Sequence, residues 1–245
     1  MRLTVLGCQS PFPAADGATI GYLLEVGGKR ILMDCGSGVL AQLAKKCKPY
    51  ELDLVLISHL HHDHISDFFV LQYALLVANQ FQKRNQPLSV WAPSEPKGWF
   101  EKLSYRNYIL LQAITEGKTV SLEGVNISFF LTDHAVPCYA MKIEYDGKVL
   151  LYGADAGPRT DWTRMAIEPD LFICEASFLH KDLPADPIGH LSAKQAAQAA
   201  NQIKARRLLL THLYPELDPL QLKQEAEQEY HQELLVAEIG LEINL

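Results

Sequence analysis

The sequence has few cysteines, no surplus of basic residues and no long apolar run, and each of these shortages excludes a class of protein. Its five cysteines are an odd number and contain no C-x-x-C pair, so reduced thiols are expected rather than a disulfide framework. Lysine and arginine number 22 against 29 aspartates and glutamates. A formal net charge of -7 argues against an all-over basic surface that clamps nucleic acid.

The shortage of apolar runs bears on location. No stretch approaches the roughly 20 apolar residues that a membrane-spanning helix needs, so no membrane partner is expected. The short apolar start, residues 1–7, is typical of a first strand and too short for a signal peptide. A cytoplasmic protein is therefore expected. With 245 residues, 48% of them apolar, the chain can bury a full core, and we expect one domain over residues 1–245.

Short apolar runs between turn residues predict two sets of strands. The predicted strands cover residues 3–6, 21–26, 30–33, 52–57, 119–122, 125–132, 139–145, 148–152, 171–174 and 207–211. Helical spacing of apolar residues predicts helices over residues 37–46, 68–81 and 192–204, with Ser37 and Ser192 placed as N-caps. Residues 91–108 show no clear pattern. Strand sets with helices between and outside them predict a layered α/β fold.

The predicted helix over residues 68–81 is apolar almost all round. Such a helix is covered by other parts of its own domain or by a partner subunit. The sequence is compatible with both alternatives, and the second would make the protein a homodimer.

A cluster of metal-binding side chains follows the apolar run of residues 52–57 directly. It has the form H-x-H-x-D-H and contains His59, His61, Asp63 and His64. Residues two apart in an extended segment point the same way, so His59 and His61 can share one ion. Asp63 and His64 can reach a second ion at the roughly 3.5–4 Å separation of two-metal sites. Imidazole and carboxylate ligands favour zinc, while manganese and iron are also compatible.

This hexapeptide closely resembles the signature of the metallo-β-lactamase superfamily, and the resemblance extends over nearly the whole chain. It implies an αββα sandwich, in which two mixed β-sheets are flanked by helices. It also implies three further ligands. His134 would complete the first metal with His59 and His61, His212 would join Asp63 and His64 at the second, and Asp155 would bridge the two. The resemblance favours His134 over its neighbour Asp133, and it gives no ligand role to His62, His180 or His231.

Two divalent cations lower the pKa of solvent held between them and stabilise an anionic transition state, so hydrolysis is the expected reaction. Such a site suits phosphodiesters, but the same arrangement can open lactones, lactams or thioesters. The metals alone therefore leave the substrate class open.

Two later segments resemble the ribonuclease Z branch of this superfamily: Cys-Glu-Ala-Ser at residues 174–177 and Gly-His-Leu-Ser at residues 189–192. The resemblance implies that Glu175 orients His190, which acts as a general acid on the leaving oxygen, and that Asp63 has a proton-transfer role. The alternative makes Glu175 a surface or capping residue. Residues 6–11 and 33–38 also match this branch, and they are assigned no chemistry.

The chain departs from that branch in two places. Between His64 and His134 it has no Gly- and basic-rich arm of the kind that grips transfer RNA, and residues 213–216 lack the usual serine, arginine and tyrosine. Transfer RNA is therefore a doubtful partner, and the nearest match is a group of ribonuclease-Z-like hydrolases without the arm. The expected function is a binuclear phosphodiesterase for a small or single-stranded substrate.

Two other functions are also compatible with the sequence. The first is a carboxyl-ester, lactone or thioester hydrolase with the same metals. The second is a metal-binding scaffold without turnover, or a redox di-iron protein. Di-iron relatives usually place a glutamate where His61 stands, which disfavours redox chemistry.

Overall fold

The computed structural model describes residues 1–185 and 189–245, and two seven-stranded sheets form its centre. The first sheet takes six strands from the first half of the chain and one from its end. These are β1 (Arg2–Gly7), β2 (Gly21–Val26), β3 (Lys29–Met33), β4 (Leu54–Leu56), β5 (Leu88–Pro93), β6 (Ile109–Ile114) and β14 (Glu242–Asn244).

The second sheet takes its strands from the part of the chain that follows β6. They are β7 (Thr119–Leu122), β8 (Val125–Leu131), β9 (Tyr139–Tyr145), β10 (Lys148–Tyr152), β11 (Leu171–Glu175), β12 (Arg207–Thr211) and β13 (Glu233–Val236).

Both sheets are mixed, and each is divided into an antiparallel and a parallel half. The first has the order β14-β1-β2-β3-β4-β5-β6, with antiparallel pairs up to β3 and parallel pairs from β3 to β6. The second has the order β13-β12-β11-β10-β9-β8-β7, with parallel pairs from β10 to β13. The carboxyl ends of parallel strands form crevices where ligands bind in α/β folds.

The main apolar core lies between the two sheets. Strand β8 alternates buried and more exposed residues, so Val125, Ile127 and Phe129 face inward. They meet residues of the first sheet such as Tyr22 and Leu24. Strand β4 is buried along its whole length, as expected for a parallel strand covered on both faces.

Helices cover the outer face of each sheet. They are α1 (Val39–Leu43), α2 (His62–Ile65), α3 (Phe68–Gln80), α4 (Lys97–Leu103), α5 (Ala193–Gln202) and α6 (Pro219–Glu227). One outer core packs α1 and α3 on the first sheet, and the other packs α5 and α6 on the second. The predicted αββα arrangement is confirmed.

One helix start was predicted correctly and one was not. The Ser192 hydroxyl accepts from the Gln195 amide, and the Gln195 side chain accepts from the Ser192 amide, which completes a capping box. Ser37 caps nothing: α1 begins after Gly38, whose φ of 83° turns the chain into the helix. The first helix is also shorter than the predicted 37–46.

Several elements were missed by the sequence patterns. The end of strand β5 and helix α4 lie within residues 91–108, which gave no clear pattern, strand β6 follows directly, and α6, β13 and β14 complete the end of the chain. Strand β6 lies at the edge of the first sheet and is only partly buried. It therefore lacks the continuous apolar run that marks β4.

Helix α3 is covered on one face only. Phe68, Leu71, Gln72, Leu75 and Ala78 are buried in the described structure. The opposite face presents large apolar side chains to solvent: Val70, Tyr73, Val77 and, just beyond the helix, Phe81, with exposed fractions of 59, 62, 45 and 70%.

All five cysteines are unpaired and buried, which agrees with the expected reduced thiols. Across residues 1–185 and 189–245, no helix combines the length and the apolarity needed to cross a bilayer.

Candidate metal centre

The six-residue histidine segment lies at the carboxyl end of β4. His59 follows the strand, His61 is in extended backbone, and α2 begins immediately after His61. This change from strand to helix turns Asp63 and His64 to another side of the cluster. The chain passes close to its neighbours here, because a Cβ on Gly36 would lie 1.9 Å from the Asp63 carbonyl oxygen.

One group of ligand atoms is built from His59, His61, His134 and Asp155, whose donor atoms all lie within 4.8 Å of one another. His61 Nδ1 is 3.1 Å from both His59 Nε2 and His134 Nε2. His134 comes from the loop after β8, and Asp155 from the loop after β10. Residues far apart in the sequence thus meet where strands of the two sheets end.

A second group contains Asp63, His64 and His212, again within 4.8 Å. The Asp155 carboxylate lies between the groups. Its Oδ1 is 3.2 Å from His64 Nε2, and its Oδ2 is 3.1 Å from His212 Nε2 and 3.5 Å from His59 Nε2. The structure therefore brings all seven side chains named from the sequence into one cluster with Asp155 at its middle.

The cluster fits divalent cations in a way that hydrogen bonding alone does not explain. The Nε2 atoms of His64 and His212 are buried, and neither has a hydrogen-bond partner among the described residues. The Asp155 oxygens are near them but are not aligned as acceptors. Buried ring nitrogens without a partner are costly, and a cation between them and Asp155 would remove that cost.

The outward ring nitrogens of three histidines bind oxygen atoms. His64 Nδ1 donates to Asp34 at 2.8 Å, His134 Nδ1 donates to the Gly189 carbonyl at 3.0 Å, and His212 Nδ1 lies 2.8 Å from Ser177 Oγ. A proton held on each Nδ1 leaves the Nε2 lone pair facing the cluster. This is the usual arrangement around protein metal sites.

Asp34 is a fully buried carboxylate that orients the site from behind. Besides His64, it accepts from the amide and hydroxyl of Ser58 at 2.7 and 2.8 Å and from the Tyr152 hydroxyl at 2.6 Å. Tyr152 belongs to strand β10 of the second sheet, and Asp34 directly follows strand β3 of the first sheet. One buried group therefore ties both sheets to the position of His64.

The pKa values differ between the two groups because the carboxylates surround the second one. Burial and neighbouring imidazoles lower the pKa of His59 and of His61. Burial also opposes protonation of His212, but Asp155 outweighs it and raises the pKa of His212 to about 10. The pKa of His64 is also raised above its usual value, because Asp155 and Asp63 outweigh the effect of burial. These are positions where a metal cation would take the place of a proton.

Glu175 and His190 form a pair at the edge of the cluster. His190 Nδ1 lies 3.0 Å from Glu175 Oε1, and the His190 ring stacks on His212 with centroids 5.1 Å apart. Glu175 is completely buried, which excludes the alternative of a surface residue. Burial lowers the pKa of His190, but the charge of Glu175 and its hydrogen bond outweigh burial and raise that pKa above its usual value.

Glu175 is itself held on several sides. Its carboxylate accepts from the amides of Ala156 and Leu191 at 2.8 and 3.0 Å and from the Ser177 hydroxyl at 2.7 Å. Ser177 also contacts His212, so it links the Glu175–His190 pair to the second ligand group.

The remaining polar residues near the motif lie elsewhere. His62 packs edge-on against Trp99, and Asp133 is paired with Arg159 at 2.7 Å. His180 contacts Ser192, and His231 is exposed. None of the four belongs to the two ligand groups.

Sequence patterns missed the supporting residues Asp34, Ser58, Ser177 and Ser10, whose hydroxyl donates to Asp63 at 2.7 Å. A signal was present for three of them. Ser10 and Asp34 lie in the segments 6–11 and 33–38 and Ser177 in the segment 174–177, all of which match the ribonuclease Z branch, but these three residues were given no chemistry.

Comparison with known proteins gives a consistent result. Residues 29–213 match a family model described as beta-lactamase superfamily domain. The chain is 34% identical over 240 residues to the probable metallo-hydrolase YhfI of Bacillus subtilis, covering 98% of each chain. It is 25% identical to ribonuclease Z of Archaeoglobus fulgidus over 86% of this chain and 87% of that protein.

Solved structures agree with the fold. The crystal structure of the metallo-beta-lactamase fold protein YhfI from Bacillus subtilis superposes with a TM-score of 0.95 at 33% identity, covering 99% of this chain and 98% of the other. The short form of human tRNase Z superposes with a TM-score of 0.77 at 21% identity, covering 100% and 99%.

Proposed function

The chain belongs to the beta-lactamase superfamily, as a metallo-hydrolase with ribonuclease-Z-like relatives, and from this premise we propose that it is a binuclear metal-dependent phosphodiesterase. One observation carries the proposal: a hydrogen-bonded Glu175–His190 pair stands beside the ligand cluster. Donor atoms of His190, His212 and Asp155 lie within 4.8 Å of one another. A proton donor at that place suits an alkoxide leaving group, which departs poorly without a proton.

We assign the two ligand groups to two ions that would share Asp155. His59, His61, His134 and Asp155 would hold one ion, and Asp63, His64, His212 and Asp155 would hold the other. Zinc suits this set of imidazoles and carboxylates best, and manganese or iron could also bind. When bound, such cations supply Lewis acidity, which lowers the pKa of water and offsets the charge of the transition state.

The side chains around the cluster would divide the proton transfers between them. Asp63 lines the mouth of the site with His61 and His190, and its Oδ2 is fixed by Ser10. It can therefore accept a proton from attacking water. Glu175 holds Nδ1 of His190, which leaves Nε2 to protonate the leaving oxygen.

The substrate we propose is a small or single-stranded phosphodiester. The chain between His64 and His134 is used by α3, α4 and strands β5 to β8, so it supplies no arm for the body of a transfer RNA. We also infer a cytoplasmic location, because free thiols suit a reducing compartment. The apolar core shared by both sheets supports a single domain over residues 1–245.

Turnover by metal-quantified protein tests the function. We expect cleavage of bis(p-nitrophenyl) phosphate that a chelator abolishes and that added zinc restores, with about two metals per chain. A lactone and a thioester are measured in parallel at equal enzyme concentration. Cleavage confined to those two substrates would contradict the phosphodiesterase proposal in favour of an ester hydrolase. Inertness toward all of them with two metals bound would favour a scaffold.

We also propose that the exposed face of α3 pairs with a second copy of this chain. The helix contains no charged residue, so two copies can meet antiparallel without bringing like charges together. A cavity of about 420 Å³ beside it is lined by apolar side chains that include Tyr73, Val77 and Phe81, and Lys83 is its one charged lining residue among those described. Exposed apolar side chains and an apolar cavity therefore occur on the same face, which suits a two-fold contact between identical surfaces.

Sedimentation at several concentrations checks this pairing. The wild-type chain is expected to be a dimer, and the double variant Tyr73→Glu/Val77→Glu a monomer, because two carboxylates would be buried without partners. Its metal content should be unchanged. Leu220→Glu, at an apolar residue of α6 that is 64% exposed, is the control and should remain dimeric. A wild-type monomer at every concentration would contradict the pairing.

A further inference from the structure

A cavity of about 520 Å³ opens beside the ligand cluster. Its lining comes from the loops after β1, β11 and β12: Ser10, Pro11, Ser177, Phe178, Asp182, His190, His212, Tyr214 and Leu217. A smaller cavity of about 310 Å³ lies over the cluster itself and shares Ser10, Pro11 and His190 with the larger one. The two cavities therefore adjoin, with His190 on their common wall.

The walls of the larger cavity are mainly apolar. Phe178, Tyr214 and Leu217 contribute rings and methyl groups, and Phe12 packs edge-on against Tyr214 with centroids 5.9 Å apart. The polar groups at its inner end are already engaged, since the Ser177 hydroxyl binds Glu175 and His212. An uncharged, apolar part of a substrate would pack well against such walls.

The charges around this cavity disfavour an anionic guest beyond its inner end. Asp182 contributes a carboxylate to the lining, and no lysine or arginine of the described residues lines the space. His190 and His212 are engaged by Glu175 and Ser177, so a phosphate or sulfonate that extends past them would lose water without gaining a cation. A nucleic acid strand, which carries a phosphate at each step, is therefore a poor occupant.

We propose that this cavity is the leaving-group pocket and that it takes an uncharged ring, aromatic or otherwise apolar. The inference rests on the proposed function, in which His190 protonates the leaving oxygen. Because His190 separates the cluster mouth from the larger cavity, an alcohol protonated by His190 extends into that cavity. The phosphoryl group itself occupies the polar mouth beside Asp63 and Asp155. In the cleavage, water adds to phosphorus and gives a proton to Asp63, the bond from phosphorus to the leaving oxygen breaks, and His190 gives that oxygen its proton.

Three aryl methyl phosphates with leaving phenols of similar acidity test the pocket on the metal-loaded enzyme: phenyl, 4-biphenylyl and 4-(sulfonatomethyl)phenyl. We expect kcat/KM to rise roughly tenfold from phenyl to biphenylyl, because the second ring is removed from water. The sulfonate should be roughly tenfold poorer than phenyl, because its charge is unpaired.

A charge placed on the wall should reverse this order. Leu217→Arg is expected to make the sulfonate a better substrate than biphenylyl, because its guanidinium would pair with the sulfonate inside the pocket. Leu220→Arg is the matched control, since Leu220 lies three residues along the chain and outside the cavity. Metal content is measured for each protein.

Equal kcat/KM for the three diesters, or the same ranking in Leu217→Arg and Leu220→Arg, would overturn the pocket and leave the phosphodiesterase proposal intact. If no diester is cleaved while two metals are bound, the proposed phosphodiesterase function is contradicted, and the pocket is not yet tested by that result. Aryl acetates of the same three phenols then decide the pocket: the same ranking supports it, and a flat series overturns it.

Discussion

Asp155→Asn is expected to reduce phosphodiester turnover by roughly 10³- to 10⁴-fold, with metal content falling from two ions per chain toward one or none. Asp155 is the ligand that we propose for both ions, and its two oxygens lie within 3.5 Å of His59, His64 and His212. Asparagine keeps the size but removes the negative charge that would lie between the two cations. Metal analysis and turnover of bis(p-nitrophenyl) phosphate measure the effect.

Asp133→Asn is the matched control for this change. Asp133 lies beside His134 in the sequence, but its carboxylate pairs with Arg159 and lies outside the ligand groups. Turnover should stay within about threefold of wild type, because asparagine keeps the size of the side chain and an oxygen that can accept from Arg159. Two bound metals and normal turnover in Asp155→Asn would show that Asp155 is not a bridging ligand.

Two single substitutions separate a binuclear from a mononuclear site. His134→Ala removes a ligand from the first group only, and His212→Ala removes one from the second only. Each is expected to retain about one metal per chain, because the other group remains complete. A mononuclear site would instead leave one of these variants with wild-type metal content.

Sequence patterns predicted the part of the site whose members are neighbours in the chain. His59, His61, Asp63 and His64 fall within six residues, directly after a strand that its apolar run makes recognisable. The backbone of this one short segment therefore places the four side chains, without help from residues that are distant in sequence. Strand β4 covers residues 54–56 and not the predicted 52–57, so its carboxyl end, which positions the segment, was predicted to within one residue.

The supporting groups could not be derived in this way, because their partners are distant in sequence. Asp34 lies 30 residues from His64, Ser177 lies 35 from His212, and Ser10 lies 53 from Asp63. Each is a common turn or loop residue, and its meaning depends on how the two sheets pack. His134, Asp155 and His212 were named only because the chain resembles a known family.

The large cavity was equally hidden from sequence reasoning. Its walls come from three loops, and Phe178, Tyr214 and Leu217 are ordinary apolar residues in the sequence. Only the parallel arrangement of β10 to β13 brings the loops after β11 and β12 to one edge, next to the loop after β1. Specificity in this fold is therefore a property of loops that follow neighbouring strands.

His190→Ala should lower kcat/KM by roughly 10²- to 10⁴-fold for a diester with an alkyl leaving group, because an alkoxide leaves slowly without a proton. With p-nitrophenolate as the leaving group the loss should shrink to less than about tenfold, since that anion needs no proton. A merely structural change would reduce both rates equally. The two substrates are therefore compared on the same enzyme preparation, with metal content measured.

Glu175→Gln should reproduce part of this dependence on the leaving group, because it acts through His190 rather than on the substrate. The double variant Glu175→Gln/His190→Ala should have a kcat/KM no lower than that of His190→Ala alone, because residues that act as one unit do not have additive effects. His231→Ala, at an exposed histidine far from the motif, is the control. If His190→Ala slows both substrates by the same factor, His190 holds the site together and another group supplies the proton. The orientation assigned to the leaving-group pocket would then lose its premise as well.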